Sequence, residues 1–338
     1  MDVDQRRARR EASQRERARR RARGLAVAAA LAVVALLAVV LIKSGNSSKA
    51  SRASSASSPV GGTRTASHTK HSGSRNPASS TNRGTSGSTS AAAEGASTGK
   101  PGDQPVPILM YHVINPAPPG AKFPGLYVAP QEFAQQMQAL AKAGFHAVTM
   151  DQMLANWTHG ALLPRGRPIV VSFDNGYQSQ LTQALPVLRR LGWVGVENIQ
   201  LTGLPPSQGG LSTAQVSELV SAGWELDTQG ISHADLITLD SAALHQQVAV
   251  ARAEVQRRWH VPVNWFCYPS GHYDATVLAA VKTAGYMGST TVVPGWARPG
   301  EDPYRLPRLR VLGGTSPRSL LAEIAAIRSN PPPPASYG

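Results

Sequence analysis

Four apolar runs in this chain give way to residues able to do chemistry. The first ends in Met110-Tyr111-His112, and the second, Ile169-Val170-Val171-Ser172-Phe173, opens into Asp174-Asn175-Gly176-Tyr177. A third, beginning at Trp224, passes Asp227 and Gln229 to reach Ser232-His233, and a fourth, Trp265 to Tyr268, runs into Pro269-Ser270-Gly271-His272. A carboxylate set directly after an apolar strand is costly unless it is paired or at work, which singles out Asp174. His112, closing a strand, is a candidate for lining a pocket or else a hydrogen-bonded structural residue. Tyr177, Tyr268 and Trp296 have aromatic faces on which a ligand ring could stack, or they belong to the core or rim. Cys267 is the only cysteine, so no intrachain disulfide can form. Its apolar neighbours mark it as a small buried hydrophobe.

These residues need elements to hold them in place. From Val106 onward, short apolar runs alternate with helical periodicity. Strands are expected over 106–114, 147–150, 168–174, 194–201, 224–231, 263–268 and 286–292. Helices are expected from Pro130 to Gly144, over 151–157, after Asp174 to Arg190, and over 212–222, 240–259, 274–284 and 316–328. Strands alternating with helices imply a parallel sheet, open or closed. About seven such units favour a barrel, whose site lies at the C-terminal ends of its strands.

Taken in order, these segments are similar to the polysaccharide deacetylases of the NodB-homology family. The resemblance rests on Ser172-Phe173-Asp174-Asn175-Gly176, then Gln229-Gly230-Ile231-Ser232-His233, then Phe266-Cys267-Tyr268-Pro269-Ser270-Gly271. Pro107 to His112, Phe133 to Leu154 and Leu306-Pro307-Arg308-Leu309-Arg310-Val311 extend it over roughly residues 105–328. It implies an α/β fold, a distorted (β/α)7-8 barrel, and removal of N-acetyl groups from cell-wall or surface polysaccharide. It also implies a general base at Asp174 and a divalent, zinc-like metal that polarises the acetyl carbonyl and its attacking water.

On the family's pattern His233 falls on one metal ligand, while Asn175 replaces a ligand Asp and Gln229 a ligand His. Neutral amide oxygens are poor zinc ligands beside carboxylate and imidazole, so metal binding is in doubt. Asp227 lies two residues before Gln229, hence on the same side of a strand, and could supply a substitute carboxylate. His112, Tyr177, Tyr268 and Pro269 are the expected substrate contacts. Many members place a His near the end of the domain as general acid. No His follows His272 here, and the last strand carries Arg308 and Arg310 instead. Two functions therefore stay open: a hydrolase of N-acetylated polysaccharide, or a silent relative that binds glycan or scaffolds envelope proteins.

The formal net charge of +14 divides unevenly. Residues 1–24 carry +6, residues 43–104 carry +6, and residues 105–338 only +2. A nearly neutral folded part argues against nucleic acid as a partner. Leu25 to Ile42 is an uncharged apolar run of eighteen residues, which as a helix spans roughly 27 Å. The Arg-rich flank before it places the N-terminus in the cytoplasm and the rest outside the cell membrane. A cleaved signal peptide is the rival reading, with no clean cleavage site to support it. Residues 43–104, rich in Ser, Thr and Gly, are expected to be a disordered tether with an end-to-end distance on the order of 45 Å. Residues 105–328 form the catalytic-type domain, and 329–338 a Pro-rich tail.

Overall fold

The computed structural model describes residues 97–202, 204 and 209–338. The basic tail, the apolar run 25–42 and most of the Ser-rich tether lie outside the described residues. Among the described residues no helix is long and apolar enough to cross a membrane.

Among the described residues nine strands form one curled sheet. They are β1 (Val106–Tyr111), β2 (Phe145–Ala147), β3 (Arg167–Asn175), β4 (Val196–Ile199), β5 (Glu225–Thr228), β6 (Trp265–Cys267), β7 (Gly288–Thr290), β8 (Trp296–Ala297) and β9 (Leu309–Arg310). The order across the sheet is β7-β6-β5-β4-β3-β1-β8, with β2 beside β3 and β9 beside β1. Every pairing is parallel except that of β8 with β1. The segment Leu306–Arg310 bridges to Thr290 of the edge strand β7 through Leu306 and pairs with β1 through Leu309 and Arg310. The parallel, curled α/β architecture is the one expected, and the short β8 and β9 are additions to it.

The helices are α1 (Pro130–Lys142), α2 (Met150–His159), α3 (Leu185–Arg190), α4 (Thr213–Ser221), α5 (Ser241–His245), α6 (Ala251–Trp259), α7 (Ala275–Thr283) and α8 (Pro317–Ala326). Their starts follow local chemistry. Thr149 and Ser212 form capping boxes with Gln152 and Gln215, while Asp274 and Ser316 cap α7 and α8 through their side chains. The Thr149 cap is also why the expected strand 147–150 ends early: Met150 already belongs to α2. The expected single helix 240–259 holds a π-helical turn, Gln246–Val250, between α5 and α6.

Alternation along β3 decides what faces the site. Val171 and Phe173 join Tyr111, Phe133 and Trp224 in the core beneath the helices. Ser172 and Asp174 therefore turn to the inside of the curl. The C-terminal tail also packs back on the domain. Tyr337 pairs with Tyr273 through two backbone hydrogen bonds of 2.8 and 2.9 Å, and the Tyr273 hydroxyl donates to the Pro334 carbonyl at 2.7 Å.

Candidate active site

The strand ends open on a pocket of about 630 Å³ lined by Met110, His112, Asp174, Asn175, Gln229 and His233, with Tyr177, Tyr268, Ser270 and Arg310 further round the wall. Gln180, buried in the π-helical turn after β3, fixes the frame. Its side-chain amide donates to the backbone carbonyls of His112, at 3.0 Å, and Asp174, at 2.9 Å, tying the ends of β1 and β3 together.

Asp174 is the chemical centre. It is 1 % exposed, and its carboxylate receives both arms of the Arg308 guanidinium, Nη1 to Oδ1 at 2.8 Å and Nη2 to Oδ2 at 2.9 Å. Asn198 Nδ2 adds a 2.9 Å hydrogen bond to Oδ1, and the Cys267 thiol sits 3.5 Å from Oδ2. Burial works to raise the carboxyl, but the Arg308 charge and hydrogen bonds outweigh it and hold the group at about 2. Arg308 itself is fully buried, with Nε donating to the Thr291 carbonyl and Nη1 to Ser172 Oγ as well. Cys267 is buried as expected, but it also accepts from Arg308 Nη2 at 3.2 Å, so it packs against the site and not only the core.

His112 is nearly buried, and its Nδ1 finds no hydrogen-bond partner among the described residues. Burial lowers its pKa to about 4, with Asp174 opposing and Arg308, Arg310 and His233 reinforcing the shift. Burial also lowers His233. Both imidazoles are neutral at pH 7. Tyr177 is pushed up to about 12, chiefly by burial. Asn175 and His233 hold left-handed backbone at φ 82 and 53, an uncommon geometry for residues other than Gly that recurs where side chains must be aimed.

Most of the residues singled out in the sequence converge here, with four exceptions. Asp227 does not line the pocket. Its Oδ1 accepts from the backbone N–H groups of Asn264 and Trp265, at 3.2 and 2.9 Å. Alternation does put Asp227 and Gln229 on one side of the chain, but two residues along a strand are about 7 Å apart, so Asp227 lies deeper in the curl. Pro269 is likewise buried and does not line the pocket. Trp296 is core: its indole donates to the Ile324 carbonyl at 2.7 Å. His272 is a loop residue outside the pocket, 3.1 Å from Asp235 Oδ1.

Arg308 is the functional residue that sequence reasoning passed over. It drew attention only as standing where relatives place a His. The clue was a single arginine in an apolar Leu-Pro-Arg-Leu run, as costly to bury as the carboxylate it meets.

The profile of the polysaccharide deacetylase family matches residues 163–289, which span β3 through β7. Over that stretch the chain is similar to a polysaccharide deacetylase domain. YxkH of Bacillus subtilis, classed with the polysaccharide deacetylases, is 27 % identical over 224 residues, covering 66 % of this chain and 77 % of that protein. The structure of BC0361, a polysaccharide deacetylase from Bacillus cereus, superposes with a TM-score of 0.58 at 25 % identity, covering 65 % of this chain and 69 % of that one. The deacetylase PplD of Streptococcus pyogenes, at 24 % identity and a TM-score of 0.60, shares the fold over 66 % of this chain and 99 % of its own. These likenesses support a hydrolase of carbon–nitrogen bonds in polysaccharide.

Such deacetylases typically use a divalent metal, and the donors present do not fit a zinc-like ion. Both Asp174 oxygens are committed to Arg308. The Asn175 amide donates to Gln200 Oε1 at 2.7 Å. Gln229 Oε1 is buried and unpartnered, but as a neutral carbonyl it is a weak donor. That leaves His233 as the one strong ligand of the expected set. Among the described residues no three His, Cys, Asp or Glu side chains converge as a metal site.

Proposed function

We propose that this protein is a membrane-anchored, extracytoplasmic hydrolase that removes N-acetyl groups from cell-wall or surface polysaccharide. The observation that carries this is Asp174, the one carboxylate in the pocket wall, sharing that wall with His112 and His233. An acetamide carbonyl entering the pocket meets an ionised carboxylate able to orient water and two neutral imidazoles able to relay protons. Asp174 near 2 is a weak base, and so is His112 near 4, so turnover should be slow compared with a site tuned near neutrality. The apolar run at 25–42 and its Arg-rich flank support the anchor and the outward orientation.

The test is acetate release from N-acetylated oligosaccharides by the full chain in detergent. Asp174→Asn should cut release at least 100-fold, the scale of a lost acid–base group. Equal release by the variant would remove the hydrolase reading. A second reading, a glycan-binding domain without turnover, is favoured by the replacement of two ligand positions with Asn175 and Gln229. It requires saturable sugar binding with no acetate formed under any added divalent ion.

A further inference from the structure

The charge balance of the pocket points to the substrate. Asp174 is its one lining carboxylate, and Arg308 cancels that charge through two hydrogen bonds. What remains on the wall is basic: Arg310 at the end of β9 and Lys122 on the loop that faces it. The ion pairs among the described residues involve neither side chain. Phe123 and Leu126 add apolar surface to the same wall. Phe123, 58 % exposed, lies beside Lys122, whose Nζ is 5.2 Å from its ring centroid. The neighbouring loop that carries Leu312, 43 % exposed, is held to this rim by the Gly313 N–H donating to the Gly125 carbonyl at 3.0 Å. A large aromatic left in water at a pocket mouth suits the apolar face of a sugar ring. Two cations beside it suit a negative substituent on that ring or its neighbour.

We propose that the pocket is built for an anionic saccharide, with Phe123 as the platform for the ring and Lys122 and Arg310 as the recognition charges. This rests on the hydrolase reading for its acetamide but not for its charge preference, because Lys122 and Arg310 act in binding whether or not turnover follows. A neutral saccharide gains nothing from the two cations, whereas an anion exchanges its water shell for charged donors.

The experiment compares three N-acetylated oligosaccharides of equal length with the full chain in detergent: one neutral, one bearing a carboxylate and one bearing a phosphate. Equilibrium binding and acetate release are read in parallel at low and high salt. At low salt an anionic probe should bind about tenfold tighter than the neutral one, the scale of one charge-assisted contact. Salt should shrink the ratio, because exposed charges are screened. Lys122→Gln with Arg310→Gln should bring the ratio close to one, and Arg310→Lys should restore part of it. Preference for either anionic probe supports the proposal, and the tighter of the two names the charged group. Equal or tighter binding of the neutral probe, or a preference that survives the double variant, overturns it. Anion-selective binding without acetate release keeps this inference and removes the hydrolase reading. Acetate release at equal kcat/KM from neutral and anionic probes, with equal binding, does the reverse.

Discussion

Two oppositely charged residues 134 positions apart meet inside the sheet, and each is the condition for burying the other. Removing one partner of such a pair leaves a bare charge in a dry site, a loss of about 3–5 kcal/mol. Arg308→Gln should therefore lower unfolding stability by roughly that amount at pH 7, measured by denaturant titration, and should raise the Asp174 carboxyl. The double variant with Asp174→Asn should lose less than the sum of the two singles. Acid probes the same pair. The folded value near 2 lies below the unfolded 3.8, so the stabilisation is complete above about 4 and disappears as pH falls through 2. It amounts to about 2 kcal/mol, and the wild-type stability curve should show that loss on the acid side where Asp174→Asn does not. Asp174 was legible in the sequence because a carboxylate after an apolar strand demands a partner. Its partner was not legible, because nothing local to residue 308 says which strand it will face.

Strand β5 carries a second acidic arrangement with a different role. Asp227 is buried and Glu225 half-buried, and desolvation raises both carboxyls, helped at Glu225 by the Asp151 charge and at Asp227 by the Glu225 charge. Glu225 Oε2 accepts from the Asp151 N–H at 2.9 Å, while Oε1 and Asp227 Oδ2 lack partners among the described residues. For an acid whose folded value is raised, the folded state holds the extra proton. Stability is then full below the unfolded value and declines as pH rises through the folded one. Glu225→Gln replaces that proton with a permanent amide donor toward Asp227. Thermal unfolding should show the wild type losing Tm between pH 5 and pH 8 and the variant losing less. A second test concerns the loop after β6, where Gly271 sits at φ 77 and an added Cβ would fall 2.3 Å from Val292 Cγ2. Gly271→Ala should destabilise by about 1–3 kcal/mol and displace Ser270 from the pocket wall, raising KM more than it lowers kcat. Element type and order were readable from periodicity and caps. Depth was not: alternation gives a side chain's face, but not how far down the curl it lies, which is why Asp227 looked available to a metal.

For the whole chain, the proposed anchor and the domain make separable predictions. Deleting residues 25–42 should move the protein from the membrane fraction to the soluble one, and protease added to intact cells should reach residues 43–338 of the full chain. Retention of the deleted form in membranes would place the attachment elsewhere. Neither result bears on the pocket, whose parts all follow residue 105. By itself the sequence determined the alternating α/β architecture, the resemblance to the deacetylases and the strand ends at which chemistry gathers, because these depend on periodicity, capping and short motifs that act within a few residues. It also determined that Asn175 and Gln229 stand as amides where the family resemblance implies metal ligands. Only the tertiary structure decided that Arg308 neutralises Asp174, that Asp227 is out of reach, and that the surviving charges at the rim are positive. Those outcomes depend on which strands become neighbours when the sheet curls, and electrostatics at 3 Å follow that proximity, not order along the chain.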